Sequence, residues 1–158
     1  MSLATALAPD LDTLARTTDN LLGLLAPMSL EQVNRIPTGF NNNLVWNAAH
    51  TFVTQVLLTE GLGGLGVGDL DTGYVATYRK GGAPDGAVSA AAYAAIQEDL
   101  AGGVARLRSV LAEADWSKFR VYETSYGKTL RDVGEAVRFS NVHAGMHYGV
   151  MLAQRRLV

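Results

Sequence analysis

The chain has no cysteine among its 158 residues. That absence excludes disulfide staples, thiolate metal ligands and a cysteine nucleophile together, and it fits a reducing compartment. An excess of charge of either sign is also missing: 13 basic residues against 15 acidic ones leave a net charge of -2, with both signs scattered. No basic stripe is available to displace counterions from phosphates, which argues against a nucleic-acid partner. No run of like charge suggests a tail or a membrane-surface patch. Long hydrophobic runs are lacking too, since no stretch approaches the roughly 20 apolar residues of a membrane span. The first ten residues carry no basic region followed by a long apolar run, as a signal peptide would. The expectation is a soluble, cytoplasmic protein with no nucleic-acid and no membrane partner.

What is present is an apolar fraction of 48% and a charged fraction of 18%, the balance of a globular chain. The length suits one domain over residues 1–158, and no internal repeat is visible. Leu7, Leu11, Leu14, Thr18, Leu21 and Leu25 alternate spacings of four and three, which predicts an amphipathic helix bounded by Pro27. Ser29 and Gln32 form a capping-box pattern before Pro37. A loop rich in capping and turn residues, Ile36 to Asn43, leads to a second helix from about Asn43 to Thr59, with Val45, Ala49, Phe52 and Val56 as its main apolar face.

Between Gly61 and Val88 there are nine glycines and one proline, which predicts a long loop with no regular element, folded over one end of the helices. Tyr93, Ile96, Leu100, Val104, Leu107 and Leu111 predict a third helix over about Ser89 to Ala114, weakened locally by Gly102 and Gly103. Phe119 to Tyr126 reads as a short extended segment ending at Gly127. A fourth helix is expected from about Thr129 to Arg156. One stripe runs through Leu130, Val133, Val137, Ser140, Ala144, His147 and Met151, and an adjoining one through Ala136, Phe139, His143, Met146, Val150 and Ala153.

His143 and His147 stand four residues apart, so their imidazoles lie one helical turn apart on one side. Such a pair can share a metal at about 2.0–2.1 Å from each nitrogen. His50, amid Trp46, Val53 and Leu57, is also expected to point inward, and the chain has no other histidine. A His-x-x-x-His pair alone is a weak signal, because a buried histidine is more often a satisfied core residue. Three converging imidazoles, however, would cost several kcal/mol to bury in charged form unless something engages their lone pairs. The ligand set suits zinc, nickel, iron or copper over magnesium and calcium, with zinc and nickel foremost.

No general base is evident. Glu60 lies ten residues past His50 and Glu135 eight before His143, roughly 15 and 12 Å along a helix. Neither belongs to a His-Glu-x-x-His arrangement, so a zincin protease mechanism has no support. Asn47, Thr54 and Ser140 are near enough by helix phase to line the site, though capping or interhelical hydrogen bonds suit them better. Tyr148 and Glu123 are further candidates to approach the metal.

The run from Ile36 to His50, with its asparagines and Trp46, resembles the helix-two signature of the DinB-like family. The segment Phe139 to Gly149 resembles that family's closing motif, a histidine pair followed two residues on by glycine, and Tyr78 to Pro84 resembles its loop between helices two and three. The resemblance implies an all-α, up-down-down-up four-helix bundle, here with a long glycine-rich connection after helix two. It places one histidine on helix two and two on helix four around a single divalent transition metal, which His50, His143 and His147 match. Relatives often continue with a glutamine after that glycine; Val150 stands there, so any role of the glutamine is not carried over. The resemblance further implies a homodimer and, in several relatives, transferase or isomerase chemistry with a low-molecular-weight thiol. Two readings stay open: a metal-dependent transferase or hydrolase acting on a small molecule, or a non-catalytic, stress-associated bundle in which the metal is structural. In the first, the metal's open position would face a pocket roofed partly by Gly61 to Gly86.

Overall fold

The computed structural model describes residues 2–158 and is mostly helical, with one two-stranded sheet. The leucine periodicity near the N-terminus produces a short helix α1 (Leu3–Ala6) and then α2 (Ala8–Leu25), which starts with Pro9 in its first turn, where a missing N–H costs nothing. The capping box forms in full at α3 (Leu30–Asn34): the Gln32 backbone N–H donates to Ser29 Oγ, and the Ser29 backbone N–H donates to Gln32 Oε1. Asn43 caps α4 (Leu44–Val56), its Oδ1 accepting from the Trp46 N–H at 2.9 Å. A π-helical turn, Leu57–Gly61, follows directly.

Ser89 caps α6 (Ala90–Glu113), so the third expected helix has the span its periodicity predicts. Helix α2 packs on α6 and α7 (Val133–Gln154), and α4 packs on the same two helices. One apolar cluster gathers around α4, with Leu21, Leu25, Phe52, Leu100 and Met151; a second joins Leu11, Leu14, Leu107 and Val137. No helix among the described residues is long and apolar enough to cross a membrane.

Four expectations change. Helix α4 has no single apolar face, because 12 of its 13 residues are buried and only Thr54 is not. A helix covered all round is one packed by neighbours on every side, as its contacts with α3, α6, α7 and the segment Thr72–Tyr78 require. The glycine-rich connection contains a regular element after all, α5 (Thr72–Tyr78), started by Asp71, whose carboxylate accepts from the N–H groups of Gly73 and Tyr74.

The fourth helix begins at Val133 rather than Thr129, since Asp132 caps it through the Glu135 N–H at 2.8 Å. The segment before the cap is not helical: Thr129–Leu130 (β2) pairs antiparallel with Tyr122–Glu123 (β1), Tyr122 opposite Leu130. Gly127, at φ +84°, makes the turn between them. Finally, the second stripe of α7 is only partly covered: Ala136 is buried but Met146 is 49% exposed.

The two adjacent glycines of α6 have opposite surroundings. A Cβ at Gly103 would fall 2.9 Å from the ring of buried Phe52, so this glycine permits the close approach of α6 to α4; a Cβ at Gly102 would meet nothing. Gly102→Ala is therefore expected to stabilise the protein by about 0.5–1 kcal/mol through helix propensity alone. Gly103→Ala is expected to destabilise it by about 1 kcal/mol, because overpacking of about 1–3 kcal/mol outweighs the same gain. Urea denaturation of both variants checks the pair, and equal shifts in one direction would contradict this account.

Candidate metal centre

Asn43 fixes the start of α4, and one turn later Trp46 stacks flat on His50, with ring centroids 4.5 Å apart and planes 11° from parallel. The C-terminal end of α5 docks on this pair. Trp46 Nε1 donates to the Thr77 carbonyl at 2.9 Å, and the Tyr78 carbonyl lies 2.6 Å from His50 Nδ1. A carbonyl can only accept, so His50 carries its proton on Nδ1 and turns the lone pair of Nε2 outward.

Across from α4, helix α7 presents His143 and His147 with ring centroids 4.5 Å apart, and these stand 5.0 and 4.7 Å from the His50 ring. One ring nitrogen from each of the three histidines lies within 4.8 Å of the others. Two metal–imidazole bonds span up to about 4.2 Å, so small side-chain movements suffice for all three to meet one ion.

His147 is oriented by a buried amide network. Its Nδ1 lies 2.8 Å from Asn47 Oδ1, while Asn47 Nδ2 reaches Asn42 Oδ1 at 2.8 Å and Gln154 Oε1 at 3.1 Å. Gln154 Nε2 returns to the Asn42 carbonyl and side chain at 2.9 and 3.0 Å. With the Asn47 nitrogen committed as donor, its oxygen must accept, so His147 too holds its proton on Nδ1 and frees Nε2. Asn47 and Gln154 are fully buried, which makes this arrangement stiff. Gln154 had no role in the sequence reading, although it lies seven residues, two helical turns, beyond His147.

Burial holds all three imidazoles neutral. His143 is pushed down to about 3, first by desolvation and then by the neighbouring His147 and His50. His147 is pushed down to about 4 by desolvation and by His50. His50 is lowered by burial, partly offset by its hydrogen bond to the Tyr78 carbonyl. Neutral imidazoles with free lone pairs are what a metal needs.

The histidines open on a cleft of about 290 Å³. Thr54 stands at its edge, with its Oγ1 3.4 Å from His50 Nε2. Phe139, Val142 and Met146 form the apolar wall on α7. Tyr122, Thr124, Ser125 and Tyr126 of the β-hairpin line it as well, the Tyr126 ring 5.9 Å from that of Phe139. The expected roof from Gly61 to Gly86 contributes only Lys80 to this cleft; α5 turns that segment against α4, where it orients His50 instead.

No aspartate or glutamate lines the cleft. Glu60 is buried and paired with Arg106 at 2.6 Å. Glu135 accepts from the Arg131 N–H and from Lys128. Neither Glu123 nor Tyr148 reaches the cleft: Glu123 is exposed on the hairpin, and Tyr148 packs against the apolar cluster around α4. Ser140 Oγ donates back to the Ala136 carbonyl at 2.9 Å, an intrahelical bond that faces the core. The sequence profile described as the DinB superfamily matches residues 13–151. No curated protein and no solved structure gives a significant match.

Proposed function

The chain belongs to the DinB superfamily, and we propose that it is a single-domain, up-down-down-up four-helix protein that holds one divalent transition metal on His50, His143 and His147. The reaction we assign is transfer or hydrolysis on a small molecule, with a low-molecular-weight thiol as the favoured co-reactant and zinc or nickel as the metal. The observation that carries this reading is the convergence of three neutral imidazoles at the floor of an open cleft that no carboxylate lines. A purely structural site is normally closed by four protein ligands, whereas three ligands facing a cleft leave room for an exogenous one. When bound, such an ion would lower the pKa of a thiol or water beside it and so supply a nucleophile near neutral pH without a protein base.

The chain's own residues have defined tasks in this scheme. The Tyr78 carbonyl and Asn47 hold His50 and His147 in the tautomer that offers Nε2. Trp46 covers one face of the His50 ring and keeps water from it. Phe139, Val142 and Met146 offer an apolar wall to the body of a substrate, and Thr124 and Ser125 line the same cleft.

The test is spectroscopic. Cobalt-loaded protein titrated with glutathione should show a saturable sulfur-to-metal charge-transfer band, lost in His147→Ala. If neither glutathione nor azide perturbs the cobalt spectrum, no exchangeable position exists and the metal is structural.

The amide network carries its own expectation. Replacing an outer-shell partner of a metal ligand costs about 10–100-fold in affinity, so Asn47→Leu should weaken metal binding by that factor with all three histidines intact. Competition against a chromophoric chelator measures it. An unchanged affinity in a folded Asn47→Leu protein would remove Asn47 from the site.

A further inference from the structure

Beside the histidine cleft runs a second groove of about 430 Å³ that shares Thr54, Leu58, Lys80 and Tyr122 with it and adds Arg79 and Arg120. The two cavities are therefore one continuous trough, with the imidazoles at one end, Lys80 where the two parts join, and Arg79 and Arg120 at the other. No carboxylate lines either part.

The grouping stands out against the rest of the surface. Of 13 lysines and arginines, seven are in ion pairs: Arg16, Arg35, Arg106, Arg108, Lys128, Arg131 and Arg138. Among the described residues six have no acidic partner, and three of those six meet in this groove. Arg120 is held there by its backbone, whose N–H donates to the Leu62 carbonyl at 2.8 Å, and its guanidinium reaches the Gly61 carbonyl at 3.3 Å. Arg79 and Lys80 follow α5 directly, and α5 is anchored to α4 through Trp46 and His50. The cations are thus placed on the same framework that orients the metal ligands.

Three unpaired cations side by side repel one another, and an anion between them relieves that repulsion while gaining charge-assisted hydrogen bonds. We propose that this groove binds the anionic tail, carboxylate or phosphate, of the small molecule whose reacting end lies at the three histidines. The site then selects an elongated, anionic substrate or thiol over a neutral one of the same reactivity. This rests on the reading of the histidine cleft as the reacting end.

The test separates the tail from the head. Calorimetric titrations of the cobalt-loaded and metal-free protein would use five probes: glutathione, its diethyl ester with both carboxylates masked, S-methylglutathione with the thiol blocked, pantetheine 4′-phosphate, and pantetheine. Glutathione is expected to bind at least tenfold more tightly than its diester. Arg79→Gln/Arg120→Gln should erase that preference while leaving diester binding unchanged. S-methylglutathione should retain the same dependence on the two arginines in metal-free protein, so the groove is scored even if the metal reading fails.

Preference for pantetheine 4′-phosphate over its dephosphorylated form, again lost in the double variant, would assign the tail as phosphate; preference confined to glutathione would assign carboxylate. Equal affinity for glutathione and its diester, together with no phosphate preference, overturns the proposal. So does a preference that survives in the double variant, or the absence of saturable binding by every probe. The far-ultraviolet dichroism of the double variant controls for folding, and both arginines are exposed, so the substitutions leave the core untouched.

Discussion

Protein prepared without a metal-affinity step is expected to carry close to one divalent transition-metal ion per chain, and His50→Ala/His143→Ala is expected to carry almost none. The argument starts from burial. With His143 held at about 3 and His147 at about 4, neither competes a proton against a metal at neutral pH. Hydrogen bonds at Nδ1 of His50 and His147 leave Nε2 as the donor atom on each. Because two of three ligands are removed in the double variant, the residual imidazole is a monodentate ligand with no chelate to support it. Elemental analysis of both proteins decides the matter. Wild-type metal content in the double variant would mean that the ion sits elsewhere.

The histidine cluster was legible in the sequence because the chain holds only three histidines and two of them share one side of a helix. The geometry that makes them usable was less so. His147 is positioned by Asn47, 100 residues away, and Asn47 in turn by Gln154, 107 residues away. In a periodicity reading, asparagine and glutamine in a helix look like caps or interruptions, and nothing local reveals that their partners lie across the fold. Only the match of helical phase, Asn47 one turn before His50 and Gln154 two turns after His147, could have suggested it.

Helix boundaries show the same division. Helix α6 was readable because Ser89 caps it and its leucine spacing is unbroken. Helix α5 was not, because nine glycines averaged over Gly61 to Val88 hide one capped stretch after Asp71. That stretch gains stability from tertiary bonds to Trp46 and His50 that no local propensity reports. Leu130 misled for a different reason. It continues the spacing of Val133 and Val137, yet Asp132 between them caps the helix and leaves Leu130 in a strand, where it is buried against Leu58, Leu62 and Ala136. That displacement brings the hairpin to the cleft, which tyrosines and hydroxyls line where a glycine-rich roof was expected.

Stripping the metal is expected to destabilise the fold, and acid is expected to do so further. The three histidines come from two helices distant in sequence, so an ion held by them would bind the native chain far better than the unfolded one. That preference contributes RT ln(1 + [L]/Kd), about 2.7 kcal/mol at a free-metal concentration a hundredfold above Kd, or roughly 5–10 °C in Tm for a domain of this size. In metal-free protein the three folded-state histidines lie below their ordinary value of 6.5, two of them at about 3 and about 4. The unfolded chain therefore takes up protons first as pH falls. The stability these groups contribute is fully present above about pH 6.5 and is lost as pH drops through 6.5 toward about 4, His143 and His147 each removing up to about 1.4 kcal/mol per pH unit in that window and His50 acting in the same direction. In metal-loaded protein the same protons also compete for the ligand lone pairs, so loss of the ion adds to the decline. His50→Ala/His143→Ala deletes two of the three titrating groups. Its stability should therefore fall less steeply between pH 6.5 and 4.5 than that of metal-free wild type, even if it starts lower. Urea denaturation across this range, on loaded, stripped and doubly substituted protein, reads all three slopes. A melting curve unmoved by verified metal removal would contradict the clamp, and equal slopes for stripped wild type and the double variant would contradict the titration.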